Sequence, residues 1–474
     1  MTELYGVDAR TGERLDPPVT ETTPDQVAAL CATADRAAPA LAALPRTTRA
    51  ALLRAVADGL DADSEELIRL TDAETALGSD ALRAELARTT GQLRLLADEV
   101  IRPDFLAVRR EEATDKAPAF HRTLVPIGPV AVYAASNFPF ALSVAGSDTA
   151  AALAAGCPVV VKAHPGHPRA SQRTADVVEA ALREHGAPEG SFTVVHGMEA
   201  GRALIADPHV KAASFTGSQA GGRALFDAAS AREEPIPFYG ELGSVNPVFI
   251  TRAALAARRD TIVSGYATAA TRYAGQLCTN PGLLFVPAGH GLAEALAEAL
   301  AGAPAAPMLN QRILDAYRER TGRLAGTAEV LLATPDGPHL FRATAKQFLD
   351  GLDLAEECFG PASVVVEYDT EDELPALAAH VPGSLTATLH AEPDDAALVA
   401  GLLPTLSRKA GRLVWNGWPT GVTVNRTMHH GGPWPATTGA QHTSIGTESV
   451  RRFQVPLVLQ DFPAELLPAH LLAD

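Results

Sequence analysis

The chain has 474 residues, 47% hydrophobic and 20% charged, a composition typical of soluble globular proteins with two or three domains. Its formal net charge of −17 argues against nucleic acid or an anionic membrane as a partner, because both require a basic face. No signal peptide or membrane-spanning stretch is recognised in the sequence. Its four scattered cysteines and its histidines, which lack zinc-type spacing, predict a cytoplasmic protein with free thiols and no metal site.

The first hundred residues are predicted to be helical. Thr23, Pro24 and Gln26 form the pattern of an N-cap, a first-turn proline and a capping-box partner, so a helix is expected through residues 26–44. A later stretch carries apolar residues at spacings of three, four and seven, which predicts a buried helix face. Its members are Leu82, Leu86, Leu93, Leu96 and Val100.

From about residue 122 the pattern changes to short apolar strands that alternate with helices. The strands are predicted at 129–136, 158–164, 192–197 and 210–218. Strands that are apolar throughout indicate an α/β fold with a doubly wound parallel sheet covered on both faces. Ligands bind at the carboxyl ends of such strands. The residues predicted there are Ser136, Asn137, Lys162, His164, Gly217 and Ser218.

A second α/β region is predicted to begin near residue 240. Helix and loop are expected over 303–345, and strands are expected at 356–368 and 385–391. The segment 451–463 is β-prone and is predicted to pair with the segment near 105–127 as a small β bridging element.

Cys278, Glu241 and Asn137 are the candidates for chemistry. A lone cysteine is most often a small buried hydrophobe, although Cys278 lies in the unusual stretch YAGQLCTNPG. Glu241, between glycines in GELGS, is either an ordinary ion-paired glutamate or a buried general base. Asn137, in ASNFP, is either a turn asparagine or a donor to an oxyanion.

Six motifs occur in this order along the chain: ASNFPF, VVVKAHP, FTGS, ELGSVNP, GQLCTNPG and EECFGP. Together they closely resemble the NAD(P)-dependent aldehyde dehydrogenase superfamily over roughly residues 5–465. The resemblance implies that Cys278 attacks the aldehyde carbonyl and that Asn137 and the Cys278 N–H hold the oxyanion. After hydride transfer to the nicotinamide, Glu241 is expected to activate the water that releases the acid from the thioester.

The resemblance also implies contacts with the adenosine and pyrophosphate parts of the cofactor. Lys162 is expected to bind the adenosine ribose region, and Gly217 and Ser218 the pyrophosphate. Ser136 and His164, at the neighbouring strand ends, are included in the predicted cofactor site.

At the nicotinamide end, the resemblance implies that Gly243 lies beside the ring and that Glu357 and Phe359 position the ribose. Cys358, between those two residues, occupies a position that is usually aliphatic in the family and is interpreted as a hydrophobe.

Three structural parts are implied as well. Residues 1–104 and 128–240 are predicted to form the cofactor-binding domain, and 241–449 an α/β catalytic domain. Residues 105–127 and 450–474 are predicted to form the β element, which is expected to assemble a homodimer or homotetramer through its unpaired edge.

The substrate is inferred from a narrower resemblance. SNFPFALSVAGSDTAAALAAGCPVVVKAHPGHP, GELGSVNPVF and HHGGPWPATT resemble a branch that includes 2,5-dioxopentanoate (α-ketoglutarate semialdehyde) dehydrogenases and some long-chain aldehyde dehydrogenases. Oxidation of 2,5-dioxopentanoate to 2-oxoglutarate is predicted, with a long-chain or broad-specificity NADP-dependent enzyme as the alternative. The loop 429–435 is expected to line the substrate entrance, but no residue is identified for the distal carboxylate.

Other reaction classes are weighed against the same residues. CoA-acylating relatives tend to lack the ELGS carboxylate, so Glu241 favours hydrolysis. A catalytically silent structural or binding relative is expected to lack Cys278 or Glu241. A plain cysteine hydrolase predicts no nicotinamide site, whereas Lys162 and the FTGS and EECFGP motifs predict one.

NADP is predicted as the preferred cofactor, with NAD tolerated. In NAD-preferring relatives, an acidic residue three positions after the strand-end lysine commonly binds the ribose hydroxyls. Pro165 occupies that position here, so no carboxylate repels a 2′-phosphate. His164 and His167 either donate hydrogen bonds to that phosphate, the more so if protonated, or are loop histidines facing water.

Overall fold

The protein is described from a computed structural model that covers residues 2–303 and 306–472. Its first hundred residues form an antiparallel hairpin followed by four helices. These elements are β1 (Glu3–Val7), β2 (Arg14–Thr20), α1 (Pro24–Ala43), α2 (Arg46–Ala62), α3 (Ser64–Thr75) and α4 (Ser79–Val100). The expectation of helix alone is wrong for the hairpin, which is largely exposed and therefore lacks a regular apolar alternation.

The predicted signals in this helical region are confirmed. Thr23 and Gln26 make both hydrogen bonds of a capping box, and Pro24 begins α1. The predicted apolar face of α4, from Leu82 to Val100, is buried in the main core.

The next part of the chain contains seven strands and four α-helices. They are β3 (Arg109–Glu111), β4 (Phe120–Pro126), β5 (Val130–Tyr133), α5 (Ser147–Ala155), β6 (Val159–Lys162), α6 (Pro168–Glu184), β7 (Phe192–Val195), α7 (Met198–Ala206), β8 (Ala212–Thr216), α8 (Gln219–Ser230) and β9 (Phe238–Glu241). Strands β5 to β9 form a parallel sheet in the order β7-β6-β5-β8-β9. The four predicted strands are confirmed.

Both faces of this sheet are covered. Val130 and Val132 of β5 enter a core shared with α2 and α4, whereas Ala131 and Tyr133 enter a second core shared with α1 and α7. Successive residues of a strand point to opposite faces, so one apolar strand contributes to two cores. The predicted doubly wound α/β fold is confirmed.

The carboxyl ends of the central strands meet at one edge of this sheet. Tyr133 pairs with Lys162, and Thr216 pairs with Glu241. Because Glu241 ends β9, it belongs to the first sheet, and the second sheet begins only at Val248, later than the predicted start near residue 240.

The second sheet has seven strands in the order β12-β13-β14-β11-β10-β15-β16, parallel except for β12 with β13. Its elements are β10 (Val248–Ile250), α9 (Arg252–Thr271), β11 (Leu283–Pro287), α10 (Leu292–Ala301), α11 (Gln311–Ala325), β12 (Glu329–Ala333), β13 (His339–Thr344), α12 (Ala345–Asp350), β14 (Ala362–Tyr368), α13 (Leu374–His380), β15 (Ser384–His390), α14 (Ala396–Leu406) and β16 (Ala410–Trp415). The prediction of helix and loop over 303–345 is wrong for β12 and β13. Residues 304 and 305 of that range lie outside the described residues.

A third, antiparallel sheet joins the end of the chain to the segment before the first sheet. β17 (Gln454–Gln460) pairs along its whole length with β4, and β3 pairs with the other edge of β4. The predicted pairing of 451–463 with the segment near 105–127 is confirmed. Among the described residues, no helix is long and apolar enough to cross a membrane.

Candidate active site

Cys278 lies in the loop between α9 and β11, beside the carboxyl end of β9. Asn246 anchors this loop, because its Nδ2 atom donates hydrogen bonds to the carbonyls of Cys278 and Asn280, both at 2.9 Å. Asn246 precedes β10, so the second sheet fixes the position of the cysteine relative to the first.

Glu241 is buried, with 3% of its surface exposed, and its carboxylate accepts two hydrogen bonds. The Ser444 hydroxyl donates to one oxygen, and His430 Nε2 lies 3.1 Å from the other. Burial raises the pKa of Glu241, but His430, Ser444 and Cys278 together outweigh burial and lower it. The carboxylate is therefore held ionised beside the thiol.

His430 connects the two predicted catalytic residues. Its Nε2 atom lies 3.5 Å from Cys278 Sγ as well as 3.1 Å from Glu241 Oε1. The loop that carries His430 runs along the end of β9, where Leu242 N–H donates to Ala436 O at 2.7 Å. The loop 429–435, predicted at the substrate entrance, thus brings a histidine to Cys278 itself.

The Cys278 thiol is electrostatically disfavoured as a thiolate. Burial raises its pKa well above the usual value, and the negative charges of Glu241 and Glu357 add to the rise. Formation of a thiolate here requires transfer of its proton to a neighbouring group, and Glu241 and His430 are in contact with it.

Asn137 is also brought to this loop. It is buried in the loop four positions after the last residue of β5, and its Nδ2 atom donates a hydrogen bond to Gln276 O at 3.0 Å, two residues before Cys278. Glu85 of α4 secures the same segment by accepting hydrogen bonds from Phe140 N and Ala141 N at 2.8 and 2.9 Å. Burial raises the pKa of Glu85 to about 7.

The candidate cofactor residues lie along the carboxyl edge of the first sheet. Lys162 ends β6 and is 8% exposed, and its side-chain ammonium makes no hydrogen bond or salt bridge to any described residue. Burial lowers its pKa to about 8, Arg312 adds to the decrease, and Glu21 opposes it. A buried cation without a partner fits a site for an anionic or hydroxyl-bearing ligand.

Ser218 begins α8, and its side chain accepts a hydrogen bond from Gly221 N at 3.3 Å. Gly217 and Ser218 are exposed just before the twelve-residue helix α8, whose first N–H groups have no acceptor within the helix. Such a helix start suits a phosphate group. Ser136 is half-buried and directly precedes Asn137 in the loop that follows the neighbouring strand β5.

The structure contradicts one of the two alternatives considered for His164 and His167. His167 is 1% exposed, with its ring nitrogens 3.1 Å from Ala135 O and 2.9 Å from Ser171 Oγ, so the interpretation as a water-facing histidine is wrong. Burial lowers the pKa of His167 to about 4 and that of His164 well below its usual value. Both rings are therefore uncharged near neutral pH.

Gly243 and Glu357 are in contact at the end of the site that is predicted to bind the nicotinamide. A Cβ atom on Gly243 would lie 2.6 Å from Glu357 Oε2, so a larger residue there would displace the carboxylate. Burial raises the pKa of Glu357 to about 7, and a hydrogen bond from the Ser244 backbone opposes the rise. Glu357, Cys358 and Phe359 line one pocket.

The matching family model is the aldehyde dehydrogenase family, over residues 10–311. Alpha-ketoglutaric semialdehyde dehydrogenase 2 of Azospirillum brasilense is 43% identical over 99% of this chain and 93% of its own length. The chain belongs to the aldehyde dehydrogenase family. A second relative, alpha-ketoglutaric semialdehyde dehydrogenase of Acinetobacter baylyi, is 39% identical over 89% of this chain and 83% of its own.

Solved structures agree with the fold of this aldehyde dehydrogenase. Gamma-glutamyl-gamma-aminobutyraldehyde dehydrogenase of Burkholderia cenocepacia superposes with a TM-score of 0.84 at 22% identity, covering 97% of this chain and 93% of that one. An NAD+ complex of an aldehyde dehydrogenase from Bacillus cereus gives a TM-score of 0.83 at 20% identity, with the same coverage. The protein is therefore an oxidoreductase that acts on aldehydes.

His430, Ser444 and Glu85 are residues of this aldehyde dehydrogenase site that the motifs did not identify. His430 is 152 positions from Cys278, and Ser444 is 203 positions from Glu241, so no local spacing connects them. The ligand atoms of Glu241, Cys278 and His430 lie within 4.8 Å of one another, close enough to share a metal ion. The expectation of no metal site stays a prediction.

Proposed function

We propose that this aldehyde dehydrogenase oxidises 2,5-dioxopentanoate to 2-oxoglutarate with a nicotinamide cofactor. The contact of Cys278 with His430, and of His430 with Glu241, carries the proposed chemistry, because it joins a nucleophile to proton acceptors. The substrate is supported by the two relatives named as alpha-ketoglutaric semialdehyde dehydrogenases, at 43% and 39% identity.

In the first half of the reaction, the Cys278 thiol loses its proton to the Glu241–His430 pair and attacks the aldehyde carbon. The alkoxide that forms needs fixed donors, and the side-chain amide of Asn137 and the backbone N–H of Cys278 are proposed to supply them. Loss of one such donor typically costs about 2.7–4 kcal/mol of transition-state stabilisation. The bound nicotinamide supplies the hydride acceptor that turns the adduct into a thioester.

In the second half, Glu241 is proposed to remove a proton from the water that attacks the thioester. His430 and Ser444 orient the carboxylate and keep it ionised. The tetrahedral adduct then expels the Cys278 thiolate, which is reprotonated. The net change is oxidation of the aldehyde to the acid, with one water consumed and one proton released.

The cofactor is proposed to be NADP in preference to NAD. Lys162 at the end of β6, the α8 N-terminus behind Gly217, and Glu357 beside Gly243 fit the adenosine, pyrophosphate and nicotinamide ends of such a molecule. Pro165 stands where a carboxylate would repel a 2′-phosphate. The measurement is kcat/KM for both cofactors at saturating aldehyde, and a preference for NAD of about tenfold or more, roughly 1.4 kcal/mol, would contradict the proposal.

The reaction is tested by following reduced nicotinamide with 2,5-dioxopentanoate and with decanal. The proposal predicts a higher kcat/KM for 2,5-dioxopentanoate, and a clear preference for decanal would favour a long-chain enzyme. Cys278→Ala should abolish oxidation while leaving cofactor binding intact. Glu241→Gln should give one burst of reduced cofactor and then stop at the thioester, so steady turnover in either variant would contradict the assigned roles.

We further propose that the protein forms a cytoplasmic homodimer or homotetramer. All four cysteines are free thiols, which suits a reducing compartment. Strand β17 pairs only with β4 in its sheet and carries exposed apolar side chains, which supports an oligomer contact at its free edge.

A further inference from the structure

Arg88 of α4 is a cation without a partner. Its guanidinium lies over the Phe138 ring, with Cζ 5.5 Å from the ring centroid. It makes no hydrogen bond or salt bridge to residues 2–303 or 306–472, and its Nε atom is shielded from solvent with no acceptor. A donor shielded from solvent without an acceptor is unfavourable, and an anionic ligand would supply an acceptor to this half-buried guanidinium.

The carboxylate nearest to Arg88 in sequence does not form a salt bridge with it. Glu85, one helical turn earlier on α4, uses Oε1 to accept the Phe140 and Ala141 N–H groups and forms no salt bridge with Arg88. The Glu85 contact holds the segment after Asn137, while Arg88 is left with its donors free. Glu85 and Arg88 thus make separate contacts from the same helix.

The position of Arg88 is at the edge of the catalytic site. Phe138, on which it stacks, directly follows Asn137 and packs edge-on against Tyr273 of the Cys278 loop, with ring centroids 5.9 Å apart. The charge of Arg88 reaches the nucleophile, since it opposes the rise in the pKa of Cys278. The Phe138 ring therefore connects Arg88 to the loop that carries Cys278.

Two other arginines near this site have their donors or their charge engaged. Arg412 donates to the carbonyls of Pro419 and Gly421, at 2.6 and 3.3 Å. Arg272 lies over the Tyr273 ring, with Cζ 5.6 Å from the centroid. Arg88 differs from Arg412 because its guanidinium has no hydrogen-bond acceptor among the described residues, and from Arg272 because its Nε atom is shielded from solvent without an acceptor.

We propose that Arg88 is a specificity-determining residue that binds the distal carboxylate of the aldehyde substrate. A guanidinium presents a planar fork of donors that matches a carboxylate. In 2,5-dioxopentanoate the carboxylate carbon is four bonds from the aldehyde carbon, so Cys278 and Arg88 would bind opposite ends of one molecule. Phe138 and Tyr273 would flank the carbons between them. The inference rests on the proposed function.

The experiment compares 2,5-dioxopentanoate with pentanal, which has a five-carbon chain and no carboxylate. The measured quantity is the ratio of the two kcat/KM values. Arg88→Met should lower this ratio about 10- to 100-fold, mainly through KM for 2,5-dioxopentanoate, because a charge-assisted hydrogen bond is lost. The kcat/KM for pentanal should stay within about threefold of the wild-type value, since pentanal makes no such contact.

Two matched variants control the measurement. Arg88→Lys keeps the charge but not the fork and should recover part of the ratio. Arg83→Met removes an arginine from the exposed face of the same helix, where it pairs with Glu65, and should leave the ratio unchanged. Titration calorimetry with 2-oxoglutarate adds a readout without turnover, and Arg88→Met should weaken binding of this product.

Each outcome decides the inference. An unchanged ratio in Arg88→Met would show that another group binds the carboxylate, and equal losses with both aldehydes would show that Arg88 only supports Phe138. The wild-type ratio separately tests the proposed function. A wild-type enzyme that favours pentanal would reject 2,5-dioxopentanoate as substrate, whereas the change of ratio in Arg88→Met would still decide the role of Arg88.

Discussion

His430 lies within 3.5 Å of both the Cys278 thiol and the Glu241 carboxylate, and its removal has a predictable effect on the pH profile. Burial raises the pKa of Glu241, and His430 is the first of the groups that lower it. His430→Asn should therefore raise that pKa, so the base is protonated over more of the acidic range. The steady-state rate at about pH 6 should fall roughly tenfold or more relative to wild type, with a smaller loss at about pH 8.

The measurement is kcat against pH for both enzymes. His429→Asn is the matched control, because this neighbouring ring packs beside Gly411 and Gly431 and not against Glu241. A uniform loss at every pH in His430→Asn would mean that the ring only supports the loop.

Lys162 predicts a second pH dependence. Burial lowers its pKa to about 8, so it is an ammonium below that pH and becomes neutral above it. A 2′-phosphate needs the ammonium more than ribose hydroxyls do. The ratio of kcat/KM for NADP to that for NAD should therefore fall as the pH rises from about 7 to about 9.5, because kcat/KM reports groups of the free enzyme.

Titration of Cys278 changes kcat/KM for both cofactors alike, so it does not change their ratio. Lys162→Met should lower kcat/KM for NADP and remove the pH dependence of the ratio. A wild-type ratio that stays constant over this range would place the 2′-phosphate away from Lys162.

The sequence allowed part of the site to be predicted at the residue level. Cys278, Glu241 and Asn137 lie in short motifs, and the structure places all three around one loop. His430 and Arg88 could not be assigned in this way, because their relevance depends on contacts with residues distant in sequence. A polar residue whose partner is set by tertiary packing leaves no local pattern.

At the scale of elements, a buried ion pair connects the segment after the His430 loop to α5. Arg452 Nη2 lies 2.7 Å from Asp148 Oδ1 in the first turn of α5, and the same guanidinium donates to the carbonyls of Ser444 and Ser449. Because Ser444 hydrogen-bonds Glu241, this ion pair helps to fix the catalytic carboxylate.

Removal of one member of this pair should be costly. Arg452→Met leaves the Asp148 carboxylate buried without a cation, and the free energy of unfolding should fall by about 3–5 kcal/mol. Urea denaturation measures it, and the added change Asp148→Asn should recover part of the loss. Arg54→Met is the control, since it breaks an exposed pair with Asp98 and should cost no more than about 1 kcal/mol. Equal losses in the two single variants would contradict the argument.

Three of the strands that were missed share a physical cause. Strands β1, β2 and β12 lie largely at the surface, and their burial does not alternate as a half-buried strand requires. The strands β5, β6 and β8 are short apolar runs at the centre of a sheet, and all were predicted. Surface position does not explain every case, because β11 and β13 lie inside the second sheet and were not predicted either.

At the scale of the whole molecule, the active site exists only where the two large sheets meet. Glu241 ends a strand of the first sheet, whereas Asn246 of the second sheet holds the loop of Cys278. The returning loop with His430 spans both, which explains why a residue so late in the chain completes the site. The order of the motifs along the chain could suggest this arrangement. The distances between the site residues depend on how the two sheets pack, so the sequence alone could not predict them.

The third sheet leaves β17 open on one side. This strand pairs only with β4, and Leu457 and Val458 are 42% and 51% exposed. An exposed apolar strand edge is prone to association unless another surface covers it. A second copy of the chain is the proposed cover, and the contact would lie far in sequence from the catalytic loop.

Charge on this strand should separate the subunits. Wild-type protein should scatter light as a dimer or tetramer at micromolar concentration. Leu457→Asp combined with Val458→Asp would bury two carboxylates without partners and should raise the dissociation constant at least about 100-fold, or about 2.8 kcal/mol, giving monomer. Leu466→Asp, at a residue 65% exposed outside β17, should leave the oligomer intact. If the wild-type protein is a monomer, the proposed subunit contact does not exist. If the double variant is still an oligomer, the contact lies elsewhere.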